Sequence, residues 1–597
     1  MNEWSMTLDS KIKSQADYWA SAEVFDADTR KEIKDLIDKN DDAEITERFY
    51  RDLEFGTGGL RGILGAGTSR MNVYNIRKAS FALASYIREA CGDSGSKIAI
   101  SYDSRRYSRE FAQATAEVMA GCGIKAFITK ELRPVPMLSY MVRHFGCNAG
   151  VCVTASHNPP EYNGFKVYWE TGGQVVPPHD GSIISKYKSI TSYEEVQYMP
   201  FAEGVAKEMI IEVGDDLDKP YFEKVSELSF NRNGRDDFKI VYSPLHGTGG
   251  MPVTRALESF GFKDVVVVPE QSKPDGNFPT VKSPNPEDRS ALEMSVQLGQ
   301  KLNADLVLAT DPDADRIGMA VLENGEYKFF NGNQIGSLLV DYVLRAMQES
   351  NSLPENPLVI KTIVTTDLQT KIAAHYGAHC DETLTGFKWI CQLIEDYETG
   401  ARTPKRNYVC GGEESYGFLA GSFVRDKDAV IACAIAAEMV AVYKSEGFVL
   451  SDVLDQIYRR HGVYLEDLYT LTLPGMAGAE KIKLMMDRLR KDPPKEIAGI
   501  KVEKMRDLSN CKEYILGQDG YKEGDTIPLP SSNVLQFLLS DGTKVSTRPS
   551  GTEPKIKFYF SVTRPCSKDT GQEKLNALKS ECHTQIEALR DAFTAMT

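Results

Sequence analysis

Across 597 residues the chain contains no apolar run of about 18 positions, the length a helix needs to cross a bilayer. Its opening stretch, MNEWSMTLDSKIKSQ, lacks the basic n-region and apolar h-region of a secretory leader. Membrane insertion and secretion are therefore not expected, and the expected compartment is the cytoplasm. Cysteine is scarce, with eleven in all and no C-x-x-C pair, which argues against a disulfide scaffold and against a structural zinc site. Positive charge is also in deficit, the formal net charge being -15. That balance disfavours general nucleic-acid binding, which needs clustered Lys and Arg. Any phosphate recognition is expected to be local.

What is present is ordinary for a folded soluble protein: 42% hydrophobic and 26% charged residues exclude a disordered chain. A chain of this length exceeds one core, and at roughly one domain per 150 residues about four are expected. The first fifty residues place apolar side chains at helical spacing (Ile33, Leu36, Ile37, Ile45, Phe49) and predict short amphipathic helices leading into Phe55. From Lys97 strand-like and helix-like runs alternate (KIAISYD, REFAQATAEVMAGCG, IKAFIT), the signature of an α/β layer. The alternation recurs from FKIVYSP and from PLVIKTIV, without residue-level similarity between the units. The last section differs: VLQFLLS and KVSTRPS flank Asp541-Gly542, a hairpin signal, and KIKFYFSV and a helix from about Gly571 follow. The predicted organisation is three α/β mixed-sheet domains over 1–205, 206–325 and 326–450, then a smaller α+β domain over 451–597.

Five segments carry chemistry. Thr154-Ala155-Ser156-His157-Asn158-Pro159 follows the apolar strand GVCV, so Ser156 is presented at the C-terminal edge of a sheet, where α/β folds place ligands. A serine there is also a common turn residue. His157 beside it could meet a serine-borne phosphate or exchange a proton, or be a buried, hydrogen-bonded histidine. In Asp311-Pro312-Asp313-Ala314-Asp315-Arg316 three carboxylates alternate on one tight loop between apolar strands, and they repel unless a cation neutralises them. An EF-hand loop would need Gly and Glu where Arg316 and Leu322 stand, and helices on either side. Three oxygen ligands with room for a phosphoryl oxygen suit magnesium. Gly411-Gly412-Glu413-Glu414-Ser415-Tyr416-Gly417 reads as a loop after the short strand NYVC, with Glu413 and Ser415 able to meet sugar hydroxyls. Arg425-Asp426-Lys427-Asp428 precedes a helix that Asp428 would cap. Arg548-Pro549-Ser550-Gly551-Thr552-Glu553-Pro554-Lys555 combines a fixed cation, hydroxyls and a glycine, and reads as a phosphate cradle or as a polar turn.

In this order TASHNP, DPDADR, GEES and RPSGTEP resemble the α-D-phosphohexomutase superfamily, which includes phosphoglucomutases and phosphomannomutases. The likeness runs from about Phe55 to Phe560, and FGTGGLRG with NGFKVYW is most similar to the long phosphoglucomutase/phosphopentomutase branch. The resemblance implies four domains around a central cleft. It implies that Ser156 is phosphorylated and that Asp311, Asp313 and Asp315 bind Mg2+ together with that phosphate. Arg61 matches an active-site arginine, and His157, Lys166 and Lys427 are candidates for proton transfer or for steadying the phosphoryl group. Arg316, Gly386, Lys388, Glu413 and Ser415 fall in the substrate-binding set. Arg548, Ser550, Gly551 and Thr552 match the distal phosphate site, with Lys557 near a family arginine.

The implied reaction moves a phosphoryl group within a sugar phosphate, glucose 1-phosphate first, through a bisphosphate that also activates the enzyme. Mannose or pentose phosphates, or release of the bisphosphate as product, remain alternatives. A noncatalytic binder of the same fold would have lost a motif side chain, and none is lost. The expected partners are small-molecule sugar phosphates, with no nucleic acid or membrane, for a monomer or a dimer. Gly58-Gly59-Leu60-Arg61 stands where many relatives have SGLR, and Pro312 and Ala314 where glycine is common. Neither change removes a functional side chain.

Overall fold

A computed structural model describes residues 9–56, 58–92, 94–473, 475–550 and 555–596. The chain forms two compact units. The first runs from the N-terminal helices to Phe329 and includes Gly417–Glu438; the second holds Phe330–Tyr416 and the chain from Met439.

The first unit opens with helices Ser10–Ser21, Ala27–Asp38 and Asp42–Phe49, each started by an aspartate (Asp9, Asp26, Asp41) whose side chain accepts a backbone N–H of the first turn. Ile33, Ile45 and Phe49 are buried with Trp19, Phe25 and Tyr74 in a core of their own, as the helical spacing predicts.

Two sheets follow. The first contains β1 (Gly59–Ile63), β2 (Lys97–Tyr102), β3 (Lys125–Thr129), β4 (Ala149–Val153), β5 (Tyr162–Trp169) and β6 (Ile210–Val213), in the order β1-β5-β4-β2-β3-β6. Strands β4, β2, β3 and β6 run parallel, whereas β5 and β1 are antiparallel at one edge. The second contains β7 (Lys239–Ser243), β8 (Asp264–Val267), β9 (Leu306–Thr310), β10 (Ile317–Glu323) and β11 (Glu326–Phe329), in the order β11-β10-β9-β7-β8. Here too a parallel set, β8, β7 and β9, gives way to antiparallel strands, β10 and β11. Every residue of β4 and of β9 is buried, which is why both read as unbroken apolar runs. The two sheets thus repeat one plan, and each reverses direction in the loop after the parallel strand that borders its antiparallel pair, β4 in the first and β9 in the second. Those two loops carry Ser156 and Asp311–Arg316.

In the second unit β12 (Pro357–Thr362) pairs in parallel with β13 (His379–Thr383) and β14 (Asn407–Glu413). The GEES turn leaves the C-terminal end of β14, the corresponding position in a third sheet. The sequence reading ends this strand at NYVC, but the strand continues through Glu413. Composition makes Gly411 look like a turn residue, yet a Cβ there would lie 2.0 Å from the Ile360 carbonyl oxygen, so the glycine is what lets two backbones pair. The final section is an antiparallel sheet closed by helix Gln572–Met596. The expected hairpin joins Leu535–Leu539 to Lys544–Pro549, with Gly542 at φ 85°.

Candidate active site

Ser156 sits on the loop between β4 and β5 in the left-handed region, at φ 51°, and is 4% exposed. Its amide donates to Thr154 Oγ1 at 2.9 Å, and its Oγ donates to Asp311 Oδ2 at 2.8 Å. The Oγ also lies 3.2 Å from His157 Nδ1. Burial holds the His157 imidazole well below its usual range, and the nearby Arg316 and Arg61 cations add to the effect. Arg61, on β1, donates to Asn158 Oδ1 at 3.3 Å, which ties the edge strand to the serine loop.

The second loop is built to hold carboxylates. Asp311 and Asp313 are fully buried and Asp315 is 2% exposed. The amides of Asp315 and Arg316 both donate to Asp311 Oδ1 at 3.0 Å, folding the chain around the first carboxylate. Neighbouring segments pin the loop backbone. Thr248 donates to the Pro312 carbonyl from its amide and its hydroxyl, both at 2.8 Å. Val135 N–H reaches the Asp313 carbonyl at 3.0 Å, and Ala429 N–H reaches that of Ala314 at 3.1 Å. Thr248 can approach because Gly247 precedes it: a Cβ at 247 would lie 2.3 Å from Pro312 Cα.

Two lysines face the carboxylates. Lys166 Nζ, from β5, lies 2.7 Å from Asp313 Oδ2 and 3.3 Å from Asp315 Oδ2. Lys427 Nζ lies 3.1 Å from Asp315 Oδ2 and 3.2 Å from Asp426 Oδ1. Arg316 pairs with Glu287. Burial works against the Lys166 ammonium, but Asp313 and Asp315 outweigh it and push the group above its ordinary range. At Asp315 burial is outweighed by Lys427, Lys166 and Arg316, which hold the carboxyl far below the usual range. Asp311 goes the other way, pushed well up by burial and by the charges of Asp313 and Asp315.

This donor set fits a hard divalent cation. One carboxylate oxygen from each aspartate lies within 4.8 Å of the others. Asp313 Oδ1 and Asp315 Oδ1 are buried and accept no hydrogen bond, a costly state that a cation bound to oxygen would relieve.

The first unit therefore gathers Arg61, Ser156, His157, Lys166, Asp311, Asp313, Asp315, Arg316 and Lys427. The remaining expected residues belong to the second unit. Glu413 Oε1 accepts the Gly386 amide at 2.8 Å, and Gly386 takes φ 110°, open to glycine alone at little cost. Lys388 lies in the first turn of the following helix, its ammonium 5.1 Å from the Trp389 ring. Ser415 is half-buried in the turn after β14. Arg548 and Lys557 stand opposite one another on adjacent strands, and Ser550 N–H donates to the Lys555 carbonyl at 2.8 Å. Gly551 and Thr552 lie outside the described residues.

Two residues emerge only from the structure. Arg105, fully buried after β2, donates to four carbonyls of the serine loop. Glu414 accepts from Thr362 Oγ1 at 3.3 Å and Thr365 Oγ1 at 3.1 Å, and burial, with the Glu413 charge beside it, pushes its carboxyl up to about 7.

Models of phosphoglucomutase/phosphomannomutase α/β/α domains I, II and III match residues 52–194, 219–325 and 331–461. A phosphoglucomutase of Staphylococcus epidermidis is 36% identical over 532 residues, which cover 89% of this chain and 94% of that protein. The chain belongs to the phosphoglucomutase/phosphomannomutase family. It is accordingly an enzyme of the phosphohexomutase class, and its buried aspartate triad accords with the metal dependence general in that family. A Staphylococcus aureus phosphoglucomutase is also 36% identical, over 92% of this chain and 96% of its own. Among solved structures, the pp63/parafusin phosphoglucomutase of Paramecium in its open form shares the fold, with a TM-score of 0.63 at 17% identity over 91% of this chain and 95% of that one. A family protein of Burkholderia thailandensis gives 0.61 at 18% identity, over 90% and 97% of the two chains. Among the described residues no helix is long and apolar enough to cross a membrane.

Proposed function

We propose that this enzyme interconverts glucose 1-phosphate and glucose 6-phosphate through a phosphorylated Ser156. One observation carries the reading. The Ser156 hydroxyl donates at 2.8 Å to Asp311, in a triad with two buried carboxylate oxygens that accept no hydrogen bond. A serine so placed can carry a phosphoryl group whose charge is met locally, and phosphoryl transfer depends mainly on positioning and electrostatics. Asp311, Asp313 and Asp315 would hold Mg2+ together with an oxygen of the serine-borne phosphate, and the ion would offset charge on the transferring group.

The sugar hydroxyl oxygen attacks phosphorus, the Ser156 Oγ–P bond breaks with its electron pair left on Oγ, and the hydroxyl proton leaves to a base that can pass it on to Oγ. His157 suits that last role, because burial keeps its imidazole neutral and its Nδ1 is 3.2 Å from Oγ. Lys166 and Lys427, paired with Asp313 and Asp315, suit neutralisation of the transferring group rather than proton uptake. The resulting bisphosphate returns its other phosphate to Ser156, and added bisphosphate restores enzyme that has lost the serine phosphate. Glu413, Ser415, Gly386 and Lys388 are assigned to the sugar, Arg61 and Arg316 to the reacting end. Arg548, Ser550, Gly551, Thr552 and Lys557 are assigned to the phosphate that does not react. Glucose is favoured by the names of the relatives at 36% identity.

The test is a coupled assay of wild type and Ser156→Ala with Mg2+ and glucose 1,6-bisphosphate, across glucose, mannose, glucosamine and ribose 1-phosphates. Turnover of the glucose ester, reduced at least ~10⁴-fold by the substitution, is expected. Full activity in the alanine variant, or faster turnover of another sugar, overturns the corresponding part of the proposal.

A further inference from the structure

We propose that Arg105 is a positioning residue for phosphoryl transfer, fixing the angle at which Ser156 presents its Oγ. The inference rests on Ser156 being the phosphoryl carrier.

Arg105 lies just past β2, its side chain wholly buried. Its Nη1 donates to the carbonyls of Pro159 at 2.9 Å and Tyr162 at 3.0 Å. Its Nη2 donates to the carbonyl of Ser156 at 2.5 Å and to that of Asn158. One planar fork thus satisfies four carbonyls between positions 156 and 162. The guanidinium is itself held from behind. Nε lies 3.4 Å from Asp103 Oδ2, and Asp103 Oδ1 accepts the Arg105 amide at 2.9 Å and Ser108 Oγ at 2.7 Å. The Phe278 ring covers the cation at 5.0 Å. Gly276 packs against the backbone, where a Cβ would lie 2.5 Å from Arg106 N.

The restraint has a purpose beyond filling space. Ser156 occupies a left-handed conformation that residues other than glycine adopt uncommonly, and such a residue persists only where its surroundings over-determine it. Its amide is taken by Thr154 Oγ1 and its carbonyl by Arg105, so both peptide planes flanking Cα are fixed. With those planes set, the Cα–Cβ bond points Oγ at Asp311. Lysine cannot reproduce this, since a single ammonium has three donors and no plane to bridge four carbonyls.

A displacement of about 1 Å at a reacting atom costs on the order of 10²-fold in rate. Arg105→Lys is therefore expected to lower kcat about 10²-fold, with KM for glucose 1-phosphate unchanged within about two-fold. Uptake of a phosphoryl group by Ser156 from glucose 1,6-bisphosphate, followed by intact mass in a single turnover, slows in proportion. Circular dichroism and thermal midpoint are recorded on the same samples. A lowered midpoint with kcat intact in the folded enzyme overturns the proposal, as does a rise in KM with kcat unchanged. Ser156→Ala is run alongside. If it stays active, the phosphoserine reading itself fails; if it is inactive while Arg105→Lys turns over like wild type, only the role of Arg105 fails. Should Arg105→Lys not fold, Asp103→Asn removes the charge behind Nε and leaves the four carbonyls in place. It is expected to lower kcat several-fold at constant KM, and an unchanged kcat overturns the proposal.

Discussion

Each unit holds a cluster of opposite charges, with buried carboxylates in the first and half-exposed ones in the second, and the two are finished differently. In the second unit Lys361, with its side chain wholly buried, reaches Asp367 Oδ1 at 2.8 Å, Glu382 Oε1 at 2.7 Å and the Thr365 carbonyl at 3.3 Å. Lys544 completes Asp367 from the other side at 2.9 Å. Two ammonium groups and, 3.7 Å from Glu382 Oε2, the Arg506 guanidinium meet two carboxylates, and none of these lysines and carboxylates contributes a buried atom without a hydrogen bond. Burial opposes the charges on Lys361, Asp367 and Glu382, but the partners outweigh it: Lys361 is pushed above its usual range, and Asp367 and Glu382 below theirs. In the first unit three aspartates meet two lysines and, 3.8 Å from Asp315 Oδ1, Arg316; two carboxylate oxygens accept no hydrogen bond, and Asp311 and Asp315 are pushed in opposite directions. A completed set of charges holds a fold together. An incomplete one marks a place for a further cation.

The largest effect expected from this contrast is at Asp313. Asp313→Asn removes one of the three carboxylate charges and keeps the shape of the side chain. Turnover should fall at least about 10²-fold, since a bound metal supplies several kcal/mol to a transferring phosphoryl group. Mg2+ should raise the thermal midpoint of the wild type by mass action and leave that of the variant where it was. An Asn variant that is still active and still stabilised by Mg2+ would show that these two oxygens have no metal ion to receive.

The same contrast predicts the opposite pattern at Lys361. Lys361→Met leaves Glu382 with Arg506 at 3.7 Å and Asp367 with Lys544, and because both carboxylates are half-exposed the loss should fall below the ~3–5 kcal/mol of a fully buried pair. The urea midpoint should drop, while kcat per folded molecule stays within about two-fold of wild type. Lost turnover at unchanged stability would move Lys361 into the active site and erase the distinction.

Much of this was legible in the sequence where a side-chain pattern carries the signal. Strands β4 and β9 are buried on both faces, so their apolar runs stood out, and the loops after them held Ser156 and the aspartates. Contacts made through backbone were invisible. Arg105 acts on four carbonyls more than fifty positions away, and carbonyls have no letter in a sequence. Gly411 and Gly247 were unreadable for the same reason: each is glycine because a particular strand or loop passes too close for a Cβ. Lys166 was reachable only through family resemblance, since what carries it to Asp313 is the antiparallel return of β5 beside β4. The shared plan of the first two sheets left no residue-level repeat, because it resides in strand direction rather than in side chains.

Asp428 sharpens the comparison as a third kind of carboxylate. Fully buried, it accepts the Tyr221 hydroxyl at 2.7 Å and, as the expected helix cap, the Ile431 amide at 2.8 Å. Among the described residues no lysine or arginine forms an ion pair with it, and the neighbouring Lys427 ammonium goes to Asp315 and Asp426. With hydrogen-bond donors but no cation, burial pushes the carboxyl up to about 7, so the folded protein keeps a proton that the unfolded chain releases near 3.8. A folded-state pKa above the unfolded one gives stability that is full below about 3.8 and is lost as pH rises toward about 7. Asp428→Asn stays neutral at every pH and caps a helix as well as aspartate does. The variant should match wild type near pH 4 and exceed it near pH 8 by about 4 kcal/mol, the worth of moving a pKa from 3.8 to about 7, read from urea midpoints at the two pH values. Parallel pH profiles for the two proteins would mean that Asp428 is ionised in the fold and that some positive charge completes it, placing it with Asp367 rather than apart from both clusters.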